Sequence, residues 1–195
     1  YVDPYGGISD LEKRQLRHVS DQFSEDPLRV LRGAQFVARF ELDPVPETID
    51  LCRTIDIQGI PKERIFGEIG KLLLKGRSPS LGLEFLRAVQ WTEYWTELHA
   101  LIGCRQEPQW HPEGDVWTHT LHCLDHFAAH RKSEEREDLA VGLAVLLHDV
   151  GKPETTTVKN GRIVSPGHDV AGADLAERFL KRLTSDRKLI ENTVN

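Results

Sequence analysis

The chain has 195 residues, 39% hydrophobic and 29% charged, with a formal net charge of -6, a balance that suits one large or two small soluble domains. No apolar run reaches the length of a membrane-spanning helix and no signal peptide is visible, which excludes membrane and secreted readings. Cys52, Cys104 and Cys123 are scattered without a C-x-x-C, which excludes a disulfide framework or a cysteine-built zinc site and favours a reducing cytoplasm.

The acidic excess is spread over both halves, so any RNA contact must come from a local basic patch rather than a basic domain. Met is absent, even at position 1, and the chain opens at Tyr1-Val2-Asp3 inside a motif. It reads as a piece of a longer chain, or as a chain shown without its methionines, whose true spacings would be longer.

Helices are expected from the first residues onward. Ser9-x-x-Glu12 has the form of a capping box. Asp26-Pro27 is an N-cap followed by proline at the first helical position, opening a helix to about Phe40. Pro46 opens a helix to about Ile55, Pro61 one to about Lys75, and Pro79 one to about Val89. Strand alternation is missing from this half. Residues 103–115, with two prolines and two glycines, read as a linker. Beyond it, helices are expected at about Val116–His130, Asp138–His148 and His168–Leu183. Asn160-Gly161 between β-capable residues predicts a small hairpin. The fold class is all-α, a helical neck and body followed by a second helical domain with one small β-hairpin.

Two strings carry chemistry. Leu139 to Leu147 is apolar on every side and predicts a helix buried all round, ending in His148-Asp149 and stopped by Gly151 and Pro153. A carboxylate delivered to a buried helix end needs a cation. His119, His122 and His126 share one face of the preceding helix, and His168 can approach through the hairpin. Imidazoles and a carboxylate together suit a divalent ion with open positions for water and phosphate. The alternative is that Asp149 pairs with Lys152 and that His119 and His122 are ordinary polar-face residues.

The other string is Ser24-Glu25-Asp26-Pro27-Leu28-Arg29-Val30-Leu31-Arg32. Arg29, Arg32, Phe36 and Arg39 follow one another along a helix face. The bland reading is dipole complement plus ion pairs. The sharper one is base recognition. Asp26 offers acceptors and Arg29 donors, which match the amino group and ring nitrogen of cytosine and adenine and mismatch guanine and uracil.

His119, His148-Asp149 and Gly167-His168 resemble the HD phosphohydrolase superfamily. That resemblance implies His119, His148, Asp149 and His168 as ligands of a divalent metal (Mg, Mn, Ni or Co). The superfamily's last carboxylate comes from a later helix and has no clear match, so the chain is expected to end before it.

Asp3-Pro4-Tyr5-Gly6-Gly7, Leu16-Arg17-His18-Val19 and Glu25-Asp26-x-x-Arg29-x-x-Arg32 resemble the bacterial class II CCA-adding tRNA nucleotidyltransferases and related poly(A) polymerases. Arg64-Ile65-x-x-Glu68-x-x-Lys71 resembles their next motif, and also reads as ion pairs bracing a helix. The resemblance implies a hinge at 1–11, a neck and body at 12–102, the linker at 103–115 and a truncated HD domain at 116–195. It further implies Glu25, Asp26, Arg29 and Arg32 as nucleotide-binding residues, tRNA, CTP and ATP as partners, and Mg at a catalytic head. The head's D-x-D pair is absent here, so this stretch is not expected to add nucleotides by itself. The expected parent adds CMP or AMP to RNA 3′ ends. A metal-dependent phosphohydrolase and a pure RNA-binding module are the alternatives.

Overall fold

A computed structural model describes residues 2–132 and 134–194. It divides into two compact units, 1–91 and 92–195.

The first unit opens with α1, Gly7–Glu12. Its free amides are capped from further upstream than Ser9, which lies inside the helix. Gly7 and Ile8 donate to the two oxygens of Asp3, each at 2.8 Å. A carboxylate that reaches two amides at once outcompetes a hydroxyl that can reach one. The chain then forms β1 (Gln15–Leu16) and a 3-10 turn at Asp21–Glu25 before α2, Leu28–Phe40. Asp26 caps α2 as expected, its Oδ1 accepting from the Leu28 amide at 3.1 Å. After α2, β2 (Asp43–Pro44) lies parallel to β1, a two-residue pairing that sequence alternation does not reveal. Two bonds, Asp43 N–H to the Arg14 carbonyl at 2.7 Å and Val45 N–H to the Leu16 carbonyl at 3.1 Å, hold it.

Proline-led starts hold for α3 (Pro46–Arg53), α4 (Lys62–Lys75) and α5 (Pro79–Ala88). Val30, Leu31, Ala34, Val37 and Ala38 bury one face of α2 against α4 and α5. Small residues set that spacing. A Cβ on Gly82 of α5 would lie 2.6 Å from the Ala34 carbonyl. Trp91 closes the unit, buried with its indole N–H donating to the Ile55 carbonyl at 3.0 Å.

The second unit begins at Thr92, ahead of the 103–115 segment read as a linker. A 3-10 turn, Trp91–Tyr94, leads into α6, Thr96–His99. Glu97 of α6 grips Arg182 through two bonds of 2.8 and 2.7 Å. Residues 103–115 fold back onto their own unit. Gly103 donates to Asp115 Oδ2 at 2.7 Å, Val116 to the Cys104 carbonyl at 2.9 Å, and Ile163 to Glu107 Oε2 at 2.9 Å.

The remaining helices are α7 (Val116–Ala129), α8 (Glu135–Leu147), α9 (Lys152–Thr155), α10 (His168–Leu183) and α11 (Arg187–Val194). β3 (Thr157–Lys159) and β4 (Arg162–Val164) form the expected hairpin. Its turn residues Asn160 and Gly161 both have positive φ, 53° and 76°, as a tight primed turn requires. Helix α8 packs on α7 and α11 and is not apolar-buried all round, because Val141 is about half exposed. Trp117, Leu124, Leu143, Phe179 and Leu180 form the buried centre. No helix among the described residues is long and apolar enough to cross a membrane.

Candidate functional site

In the second unit, α8 delivers Asp149 into the interior with 4% of its side chain exposed, while His148 stays about one-third exposed. Gly151 allows this. A Cβ there would lie 2.1 Å from the His168 carbonyl and 2.5 Å from the Gly172 amide nitrogen, so only glycine lets the exit from α8 touch the first turns of α10. That contact brings His168 to Asp149. His148 Nε2 lies 3.2 Å and His119 Nε2 3.9 Å from Asp149 Oδ2, and His168 Nε2 lies 3.7 Å from Oδ1.

The rings are aimed. Nδ1 of His148 donates to the Val145 carbonyl at 2.7 Å and Nδ1 of His168 to the Ser165 carbonyl at 2.8 Å. Carbonyl oxygens cannot donate, so each Nδ1 carries a proton, and in the neutral ring Nε2 then holds the lone pair an ion would take. Nδ1 of His119 meets Glu113 Oε1 at 2.7 Å, which fixes that ring in the same sense. Outer-shell bonds of this kind are what orient metal-ligating histidines.

Lys152 Nζ sits 2.7 Å from Asp149 Oδ2, so the Asp149–Lys152 pair is present alongside the histidine cluster. Oδ2 is buried and none of its neighbours meets it in hydrogen-bond geometry. Burial pushes the Asp149 carboxyl up, but His148 and Lys152 outweigh it and hold it at about 2. Burial opposes charge on His148, and the Asp149 carboxylate overcomes it and raises the imidazole above its ordinary value. His119, Cys123 and His148 each offer a donor atom within 4.8 Å of the others, and Asp149 and His168 stand beside them, a donor set of the kind a divalent ion takes.

His122 and His126 do not join this cluster. Both are exposed, and His126 stacks on His130 with ring centroids 4.2 Å apart. Cys123, one turn after His119, faces inward instead, its Sγ 3.4 Å from His119 Nε2. Glu113 and His111, in the segment read as a linker, are part of the site. Their contact is 2.9 Å, and it heads the interactions that hold the Glu113 carboxyl at about 2. A neighbouring recess is lined by Gln106, Trp110, His111, Lys152 and His168.

The first unit has its own cavity of about 420 Å³. Glu25, Arg29 and Arg32 line it together with Arg17, His18, Phe23, Phe36 and Phe85. Thr48 orients His18 by two contacts, 3.0 Å to its amide and 2.9 Å to Nδ1. Asp26 stands apart from this lining. Its Oδ2 accepts from Arg64 at 2.8 Å, while Arg29 donates to the Gln22 carbonyl. Burial raises the Asp26 carboxyl, and Arg64, the Leu28 amide and Arg29 bring it below its usual range. Arg39, one turn beyond Phe36, does not line this cavity; its guanidinium lies over the Phe40 ring, 5.0 Å from the centroid. Glu68 and Lys71 brace α4 at 2.8 Å, but Arg64 is spent on Asp26.

Residues 116–195 match the HD domain family. The chain is 42% identical over 194 residues to the multifunctional CCA protein of Halorhodospira halophila, covering 95% of this chain and 45% of that protein. It is 41% identical over 191 residues to the multifunctional CCA protein of Tolumonas auensis, covering 93% and 44%. The chain thus spans under half the length of these curated relatives. A solved structure described as a tRNA-processing enzyme (apo form 2) aligns with TM-score 0.54 and 18% identity over 98% of this chain and 48% of its own, a likeness of fold.

Proposed function

From the premise that this chain is a homologue of the multifunctional CCA proteins and carries an HD domain, we propose that it is the neck, body and HD portion of a cytoplasmic tRNA nucleotidyltransferase. The activity of the whole is transfer of CMP and AMP from CTP and ATP to tRNA 3′ ends. The observation that carries this reading is the cavity where Glu25, Arg29 and Arg32 meet three phenylalanines. Aromatic walls accept the face of a base, and guanidinium groups donate to its edge or to phosphate. Asp26 contributes the acceptor beside Arg29, and Arg64 is its resting partner, released when a base amino group takes the carboxylate.

The test is nucleotide choice in a longer chain that includes a catalytic head. Arg29→Ala or Asp26→Ala raises misincorporation of G and U at least about tenfold, since one good base contact is worth about 1–3 kcal/mol. Unchanged choice in both folded variants leaves these residues as helix braces only.

A second activity, hydrolysis of phosphate esters at the HD centre, is favoured by the convergence of His119, His148 and His168 on Asp149. These four residues are the ones that would hold a divalent ion there. A divalent ion bound there polarises a phosphoryl oxygen and acidifies water. Lys152 adds a positive charge beside the bound ester, and Trp110 and His111 shape the recess that receives it.

A further inference from the structure

Cys123 of α7 reaches the HD centre beside His119. We propose that Cys123 is a thiolate ligand of the ion held by His119, His148, Asp149 and His168, so that the centre is built for a borderline-soft ion such as Zn or Co rather than for Mg. This rests on the reading of the HD centre as a metal site.

The geometry is that of ligands sharing an ion. Nitrogen and sulfur donors bound at about 2.05 and 2.3 Å to one ion stand about 3.1–3.6 Å apart at bond angles of about 90–110°. Cys123 Sγ stands 3.4 Å from His119 Nε2, which accepts from the thiol S–H until a metal takes the place of that proton. Two oxygen or nitrogen donors on the same ion stand about 2.9–3.4 Å apart at those angles; His148 lies in that range at 3.2 Å from Asp149, and His168 and His119 stand slightly wider at 3.7 and 3.9 Å. Donor atoms of His119, Cys123 and His148 all lie within 4.8 Å of one another.

Asp149 Oδ2 is buried in this cluster as an anion, with the Lys152 ammonium 2.7 Å away and His148 Nε2 at 3.2 Å. Cys123 is four residues from His119 on α7, so one helical turn presents both donors in the same direction. His122, three residues on, turns outward, which explains why the sulfur and not a second imidazole occupies this position. On binding, the metal–sulfur bond replaces the S–H bond and the proton leaves to solvent water. Soft thiolate selects against Mg, which takes oxygen ligands.

Cobalt(II) absorption reads this directly. The chain is stripped with a chelator and titrated with Co(II), then with Zn(II) and Mn(II). The unsubstituted chain, Cys52→Ser and Cys104→Ser show a near-ultraviolet sulfur-to-cobalt charge-transfer band. Cys123→Ser and Cys123→Ala bind Co(II) without that band. Their Zn(II) affinity falls at least about tenfold, the cost of losing even an outer-shell partner, and Mn(II) binding is unchanged. Co(II) binding by the unsubstituted chain without the band overturns the role of Cys123 and leaves the metal centre standing. Failure of that chain to bind Co(II), Zn(II) or Mn(II) overturns the metal centre and the Cys123 proposal together.

Discussion

The two units build their sites in opposite ways. In the first, Glu25, Arg29 and Arg32 come from eight consecutive residues at one helix start, and folding adds walls around them, while Asp26 among them pairs with Arg64. In the second, Glu113, His119, Cys123, His148-Asp149 and His168 come from four segments, and only the tertiary fold assembles them. A local site survives small shifts of its neighbours. An assembled one depends on every contact that sets the distance between segments, so the same kind of backbone change should harm the two units unequally.

Glycine substitution breaks the comparison most strongly. Gly151→Ala forces a Cβ against backbone atoms at 2.1 and 2.5 Å that cannot rotate away. We expect a loss of about 3–5 kcal/mol in the second unit, beyond ordinary overpacking, together with loss of metal binding. Gly82→Ala in the first unit meets one carbonyl at 2.6 Å and the movable end of Leu72 at 2.9 Å, so about 1–3 kcal/mol is expected. Hydrogen exchange resolved by unit, with a metal titration, measures both. Equal losses would remove the contrast.

Glu113→Gln sharpens it at the level of a single outer contact. The amide accepts more weakly from His119 Nδ1, and metal affinity falls about 10–100-fold while the fold persists. Isothermal titration with Co(II), beside circular dichroism, separates the two effects.

The smallest effect is on pH. Burial raises the Glu97 carboxyl, but Arg182 overrides it and holds the group below its ordinary value of 4.5. A depressed folded pKa contributes stability at pH above the unfolded value, and that contribution is lost as pH falls through the folded value. Arg182 is about half exposed, so the contribution is about 1 kcal/mol. Thermal melts from pH 7 to pH 3 should show the second unit losing this amount in the acid range, and Glu97→Gln should remove that part of the slope.

The helices were legible because prolines and the Asp26 cap mark their starts by local sterics and hydrogen bonding. α10 falls where its segment was placed, and α2 to α5 start within one residue of theirs. What escaped was set by contacts distant in sequence. Asp3, not Ser9, caps α1. The β1–β2 pairing joins strands of two residues each, too short to alternate. The segment around Glu113 has turn-forming composition, which hides a residue whose value lies in meeting His119. Asp26 pairs with Arg64, 38 residues away, a choice that helical spacing around Arg29 cannot foresee. Cys123 carried a usable signal, its four-residue offset from His119, but isolated cysteines read as core.

The bonds that lock Nδ1 of His119, His148 and His168 move an entropic cost from one event to another. Ordering a side chain at the moment of binding costs about 0.5–1.5 kcal/mol, so three free imidazoles would forfeit on the order of 1.5–4.5 kcal/mol of affinity. Here Glu113, Val145 and Ser165 hold the rings in place before any ion arrives. The ordering is completed during folding, where helix packing around Leu143 and Phe179 drives it. An ion binding at the proposed centre would meet a rigid cage, and its removal would leave the cage's shape behind.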